Sequence, residues 1–242
     1  MVKSVEPLAK QEPAELRTAS IKELRSNLRK LECSLRFDAH KAEGISTGVA
    51  ALDSILPDQR LRCGTLSEWI AAETGSGAES LAVCVAGRAQ RRGTLIILDR
   101  KRRFYAPAFE SMGVNLENTI FVRPESRTDE LWAAEQSLRC SGVGAVLFRI
   151  DELKAHEFRR LQLAAEQGTA VGLLLRPMFA GKQTGWADVR LLISSRPSSA
   201  WSFRRRISVR CSYAKGAVSD QTVELEICDQ TGALQSVDSE SP

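Results

Sequence analysis

Between residues 66 and 177 short apolar runs alternate with longer amphipathic ones, and this alternation constrains the fold more than any other feature. "GTLSEWIA", "TLIILD", "NTIFVRP", "GAVLFRI" and "AVGLLLRP" read as strands, the second apolar enough to be buried on both faces. The intervening "AESLAVCVAGRAQRRG", "APAFESMG", "DELWAAEQSLRCSG" and "KAHEFRRLQLAAEQG" read as helices. Gly93 stops the first of them; Asp129 or Thr128 caps the third and Gly142 ends it. Strands alternating with helices of roughly ten to fifteen residues predict an α/β fold with a mostly parallel central sheet flanked by helices. After "MFAGKQTGW" the pattern changes, and "DVRLLISS", "RRISVRCSY" and "TVELEIC" alternate with period two. They are expected to be antiparallel strands extending one edge of the sheet.

A chain of 242 residues, 43% hydrophobic, suits one such domain with short appendages. Residues 41–235 are assigned to it, with a tail and a helix in 1–40 and a short tail in 236–242. The helix is "SIKELRSNLRKLECSLRF", where Ser20 and Glu23 form a capping box. Ile21, Leu24, Leu28, Leu31 and Leu35 make a narrow apolar stripe that packs either on its own domain or on a partner protein. The net charge of +4, from 34 interspersed basic and 30 acidic residues, permits nucleic-acid contact without requiring it. Six scattered Cys without a C-x-x-C, and only two His, spell neither a metal site nor a disulfide framework. With no signal-like apolar segment and no membrane-length run, the expected location is the cytoplasm.

The stretch with the most chemistry in it is "AETGSGAES", Ala72 to Ser80. A phosphate loop reads G-x-x-x-x-G-K-[ST]: its backbone N–H groups curl round a polyphosphate, the Lys reaches the terminal phosphates and the hydroxyl holds Mg²⁺. Here Ala72 stands for the first Gly and Gly77 is the second. Ala78 takes the Lys place and Glu79 the hydroxyl place, followed by Ser80.

The words around this loop settle what it descends from. "GISTGVAALDSIL…LRCGTLSEWIAAETGSGAESL" resembles the opening of the RecA recombinase core, where "ISTG…LD" leads to "ESSGKT". The likeness runs on through "AQRRGTLIILDRKRRFYAPAFESMGVNLENTIFVRP" and "ELWAAEQSLRCSGVGAVLFRIDEL" and resumes at "WADVRLLI", so that it spans roughly residues 44–193. "FRRLQLAAEQGTAVGLLLRP" and "ADVRL…RRRISVRCSYAKG…VELEICDQTGA" resemble the ImuA-like branch of that superfamily. Those RecA- and SulA-related proteins accompany an ImuB-like protein and a DnaE-type polymerase in bacterial mutagenesis. The resemblance implies a RecA-like core and a role in the DNA-damage response. It implies RecA, an ImuB-like protein or a DnaE-type polymerase as partners.

It also implies where a nucleotide's helpers would stand. The acid that orients water aligns with Lys101, the Asp ending the Walker B strand with Arg149, and the phosphate-sensing Gln falls near Arg176; Asp151 lies two residues past Arg149. A carboxylate about 4 Å from a phosphate oxygen costs on the order of 4 kcal/mol at an effective dielectric near 20. Loss of ATPase activity is therefore expected, with no catalytic residue, cofactor or metal. Two readings of Glu79 stand side by side: a built-in ligand at the helix N-terminus, countered by Arg149 or Lys101, or a solvent-facing acid of the first turn.

Two basic stretches, Arg100–Arg103 with Lys101 and Arg102 between, and Arg204, Arg205 and Arg206, are candidate nucleic-acid contacts, as are Arg176 and Lys182. Short basic clusters are more often solvated faces. Any contact is expected to be weak and to single strands without sequence preference, since aromatics are only 6% of the chain. The alternatives are an ATP-dependent recombinase using a divergent loop and a SulA-like division inhibitor.

Overall fold

The computed structural model describes residues 43–183, 185–198, 203–216, 220–228 and 230–237. The expected capping box and the stripe Ile21, Leu24, Leu28, Leu31 and Leu35 lie outside those residues, as does 238–242. A short ribbon of β1 (Gly44–Ile45) and β2 (Leu61–Arg62) frames helix α1 (Ala50–Ser54). Then the alternation takes over: β3 (Leu66–Ala71), α2 (Ala78–Ala89), β4 (Thr94–Leu98), α3 (Ala106–Ser111), β5 (Thr119–Val122), α4 (Arg127–Arg139), β6 (Val143–Arg149), α5 (Ala155–Gln167) and β7 (Val171–Pro177). The chain continues with β8 (Val189–Arg196), β9 (Arg204–Ala214), β10 (Gln221–Cys228) and β11 (Leu234–Ser236).

One nine-stranded sheet results, in the order β11-β10-β9-β8-β3-β7-β6-β4-β5. Strands β8, β3, β7, β6, β4 and β5 are parallel, and β9, β10 and β11 join antiparallel at one edge. β8 corrects one expectation, because "DVRLLISS" runs parallel to β3 and only its outer neighbour β9 is antiparallel. Period-two alternation reports that one face of a strand is wetter than the other, and β8 does alternate; it carries no information on direction.

Strands β6 and β7 are buried at six successive positions because both faces of the sheet are covered. Trp69, Ile97, Leu147 and Leu175 pack with Leu81 and Val85 of α2, while Leu66, Leu98, Phe148 and Leu174 pack with Leu131 and Leu138 of α4 and Leu161 of α5. A second correction concerns α4. Its N-cap is Ser126, whose Oγ accepts the Asp129 N–H at 3.1 Å and donates to the Asp129 carboxylate at 2.7 Å, so neither Asp129 nor Thr128 caps it. A side-chain oxygen three residues ahead of the N–H it accepts is the usual capping spacing. Among the described residues no helix is long and apolar enough to cross a membrane.

Candidate functional site

The loop Ala72–Gly77 leaves the C-terminal end of β3 and enters α2, with Gly77 as its N-cap. Gly75 (φ 81°) and Gly77 (φ 85°) hold left-handed conformations that L side chains resist. At Gly77 there is also no room: a Cβ would lie 2.8 Å from Ile207 Cγ2 on β9. The antiparallel extension therefore packs directly under the loop. Other contacts tie the loop to β8, where Ala72 N–H donates to the Ile193 carbonyl at 2.8 Å. Ser195 donates both its N–H (2.6 Å) and its hydroxyl (2.7 Å) to Glu73.

At the start of α2 a carboxylate meets a guanidinium. Arg149 Nη2 donates to Glu79 Oε2 at 2.6 Å. Strand parity explains the meeting: Arg149 ends β6 on the face shared with Leu147, the face that α2 covers. The second counter-charge considered for Glu79 goes elsewhere, since Lys101 Nζ pairs with Asp151 at 2.6 Å. That hydrogen bond holds the Asp151 carboxyl below its ordinary pKa, outweighing burial. Glu79 is 40% exposed at its side chain and paired with Arg149. The next residue is engaged as well: Arg205 Nη2, from β9, donates to Ser80 Oγ at 3.0 Å.

Beside this pair lies a cleft of about 110 Å³ lined by Glu79, Ser80, Val83, Arg103, Tyr105, Ala108, Phe109 and Met112. Pockets that enclose a nucleotide-sized ligand occupy roughly 300–1,000 Å³. The donor set does not fit Mg·ATP either. The positions for a phosphate-binding ammonium and a metal-binding hydroxyl hold a methyl group and a carboxylate, and the carboxylate is already matched by Arg149.

Arg176 is a third correction. It does not face nucleic acid; its side chain is 1% exposed and pairs at 3.1 Å with Glu68, which is fully buried in β3. Arg190 Nε of β8 donates to the other oxygen of Glu68 at 2.6 Å. Arg176 Nη2 also reaches Gln183 Oε1 at 2.8 Å, and Arg190 Nη1 the Gln183 carbonyl at 3.0 Å. The network thus binds three adjacent strands to the loop after β7. Burial pulls the Arg176 guanidinium below its ordinary pKa while Glu68 pulls it back. The sequence did carry a signal for this cluster, a Glu in the middle of the apolar run "LSEWIA", which requires a buried partner.

The basic stretches divide. Arg100 pairs with the buried Glu130 at 2.8 Å and keeps 28% of its side chain exposed. Arg204 and Arg206 share Glu226, at 3.6 and 3.2 Å. Arg102 and Arg103 remain outward, and the buried Asp99 fixes their turn by accepting the N–H groups of Arg103 (2.7 Å) and Phe104 (3.3 Å). Lys182 lies in the short turn after β7, and its side chain is outside the described part.

Comparison with known proteins bears on the whole arrangement. No family model matches the chain. The protein RecA of Rubrobacter xylanophilus is 33% identical over 142 residues, which is 58% of this chain and 40% of that protein. The crystal structure of the RadB recombinase superposes with a TM-score of 0.62 over 80% of this chain and all of that one, at 14% identity. The fold is of the RecA/RadB type. The chain spans about two fifths of the RecA it matches, and the shared stretch is similar to RecA in sequence as well as in fold.

Proposed function

We propose that this chain is a non-catalytic, RecA-like adaptor of the DNA-damage response, a pseudo-ATPase that supports error-prone translesion synthesis through contacts with RecA, an ImuB-like protein or a DnaE-type polymerase. The observation that carries the first half is the Glu79–Arg149 pair. A RecA-type loop without its Lys and hydroxyl, with a carboxylate in the first turn of the following helix, keeps an anion of its own near the field a phosphate would use. The ATP-dependent alternative finds no favourable residue here, because Lys101 and Arg149 stand where that chemistry needs acids. The partner set rests on the ImuA-like wording of the sequence. DNA contact, where it occurs, is of the weak phosphate-directed kind.

The test is capture of the purified candidate partners by the immobilised full chain, with and without Mg·ATP. Adaptor function predicts that at least one of RecA, the ImuB-like protein and the polymerase is retained, equally in both conditions. Retention of none, or retention that depends on ATP, contradicts it.

A further inference from the structure

The cleft beside Glu79 has an organised lining. Val83 and Phe109 are buried in its floor, Ala108 and Met112 are half-buried, and the rim carries Ser80, Arg103 and Tyr105. A volume of about 110 Å³ accommodates one apolar side chain.

The rim is unbalanced in charge. Of the four consecutive cations in the stretch, Arg100 is matched by Glu130 and Lys101 by Asp151. Glu79, in the lining, is matched by Arg149. Arg102 and Arg103 are exposed and close no ion pair among the described residues, although Arg103 stands near enough to Asp151 to help hold that carboxyl down. Their display is fixed by the backbone rather than left to chance. Arg102 sits at φ 51°, where a non-glycine residue is strained, and its N–H donates to the Asp99 carbonyl at 3.2 Å. Asp99 also spends its buried carboxylate on the next two N–H groups, and Phe104 anchors the turn in the core. Strain of this kind, overdetermined by its surroundings, clusters at binding sites. Immediately after it, Tyr105 stands 70% exposed at the mouth of the cleft.

We infer that this cleft and its arginine turn are a docking slot for a short acidic segment of a partner protein, in which one apolar side chain enters between Val83, Phe109 and Met112 and flanking carboxylates meet Arg103 and Arg102. Charge complementarity selects the acid, and the apolar floor selects the anchor. The slot deepens the adaptor reading and rests on it for the partner's being a protein. The former nucleotide cleft then serves recognition instead of hydrolysis.

The experiment is fluorescence anisotropy of the full chain with a labelled probe peptide, Gly-Asp-Glu-Asp-Phe-Glu-Asp-Gly. Comparison probes carry Ser in place of the Phe, or Lys in place of the acids. The slot predicts saturable binding of the Phe-containing acidic probe and none of the Lys probe. Arg103→Glu should weaken it about tenfold or more, and Ala108→Trp, which fills the cleft without changing charge, by a similar factor. Arg91→Glu, in the turn just past the far end of α2, should leave it unchanged. Thermal melting of each variant separates lost binding from lost fold. Absence of probe binding, or binding indifferent to Arg103→Glu and Ala108→Trp, overturns the proposal. So does displacement of the probe by oligo(dT) at concentrations below those at which unlabelled peptide displaces it, which would make the surface a nucleic-acid site. An Arg103-dependent dimer in sedimentation would assign the slot to a second copy and also overturn it. Failure here with partner capture intact removes the slot alone, whereas ATP-dependent capture removes the adaptor reading whatever the probe does.

Discussion

Arg149, the last residue of β6, donates to Glu79 in the first turn of α2 across 2.6 Å. The contact joins the end of β6 to the first turn of α2. Because the side chains are 23% and 40% exposed, water screens the pair, and its contribution to stability is small. Glu79→Gln is therefore expected to cost less than about 1 kcal/mol in urea unfolding. A loss several times larger would mean that the pair is a structural keystone.

Restoring the missing Lys should not restore turnover. Ala78→Lys places an ammonium at the start of α2, yet Lys101 and Arg149 still stand at the positions that the resemblance to RecA assigns to acids. Steady-state phosphate release by this single variant should remain at background. Measurable hydrolysis would show that the cleft keeps catalytic geometry.

The buried network behaves differently from the exposed pair. Glu68→Ala leaves Arg176 charged at a site with 1% exposure, and removing one partner of a buried pair typically costs about 3–5 kcal/mol. Replacing Glu68, Arg176 and Arg190 together with Leu and Met should cost far less, because no orphaned charge remains. Urea midpoints of the single and triple variants measure the difference.

Acid sensitivity should centre on α5. The Arg127 guanidinium, hydrogen-bonded at 2.7 and 2.6 Å, lowers the Glu157 pKa from 4.5 to about 2 against the effect of burial. A depressed carboxyl stabilises the fold above its unfolded pKa and stops doing so as pH falls through the folded one. The contribution is thus present above about pH 4.5 and disappears towards pH 2. Glu157→Gln should flatten the stability profile in that window, and an unchanged acid limb would refute the assignment.

Thiol reactivity offers a separate check. Burial pushes Cys84 up to about 11, whereas hydrogen bonds from the Thr231 side chain, then from the backbone N–H groups of Thr231 and Gln230, lower Cys228. Alkylation at neutral pH followed by peptide mapping should modify Cys228 before Cys84. The reverse order would contradict the placement of β10 and β11.

Much of this architecture was legible in the sequence because alternation of apolar runs is dictated by burial. "TLIILD" reads as a strand buried on both faces and "GAVLFRI" as a strand, and both are strands of the sheet interior. The direction of β8 was not legible, since a half-wet strand reads the same in either direction. Site chemistry split along the same line. Ala78 and Glu79 are visible in the sequence as departures from a fixed spacing, with Arg149 and Lys101 as the two candidate partners for Glu79. The sequence could not choose between Arg149 and Lys101, because the choice depends on which face of β6 the residue leaves from and on Asp151 lying past its end. Arg176 was misplaced for a related reason. A cation at a strand end looks exposed until the Glu in the next strand of the sheet, 108 residues away in sequence and two register positions along, is found to reach it.

The central claim is that the phosphate field is already filled, and titration calorimetry of the full chain with Mg·ATP tests it most directly. The account predicts no saturable heat, and none for the triphosphate's non-hydrolysable analogues. A micromolar dissociation constant would contradict it, all the more if Glu79→Gln strengthened that binding.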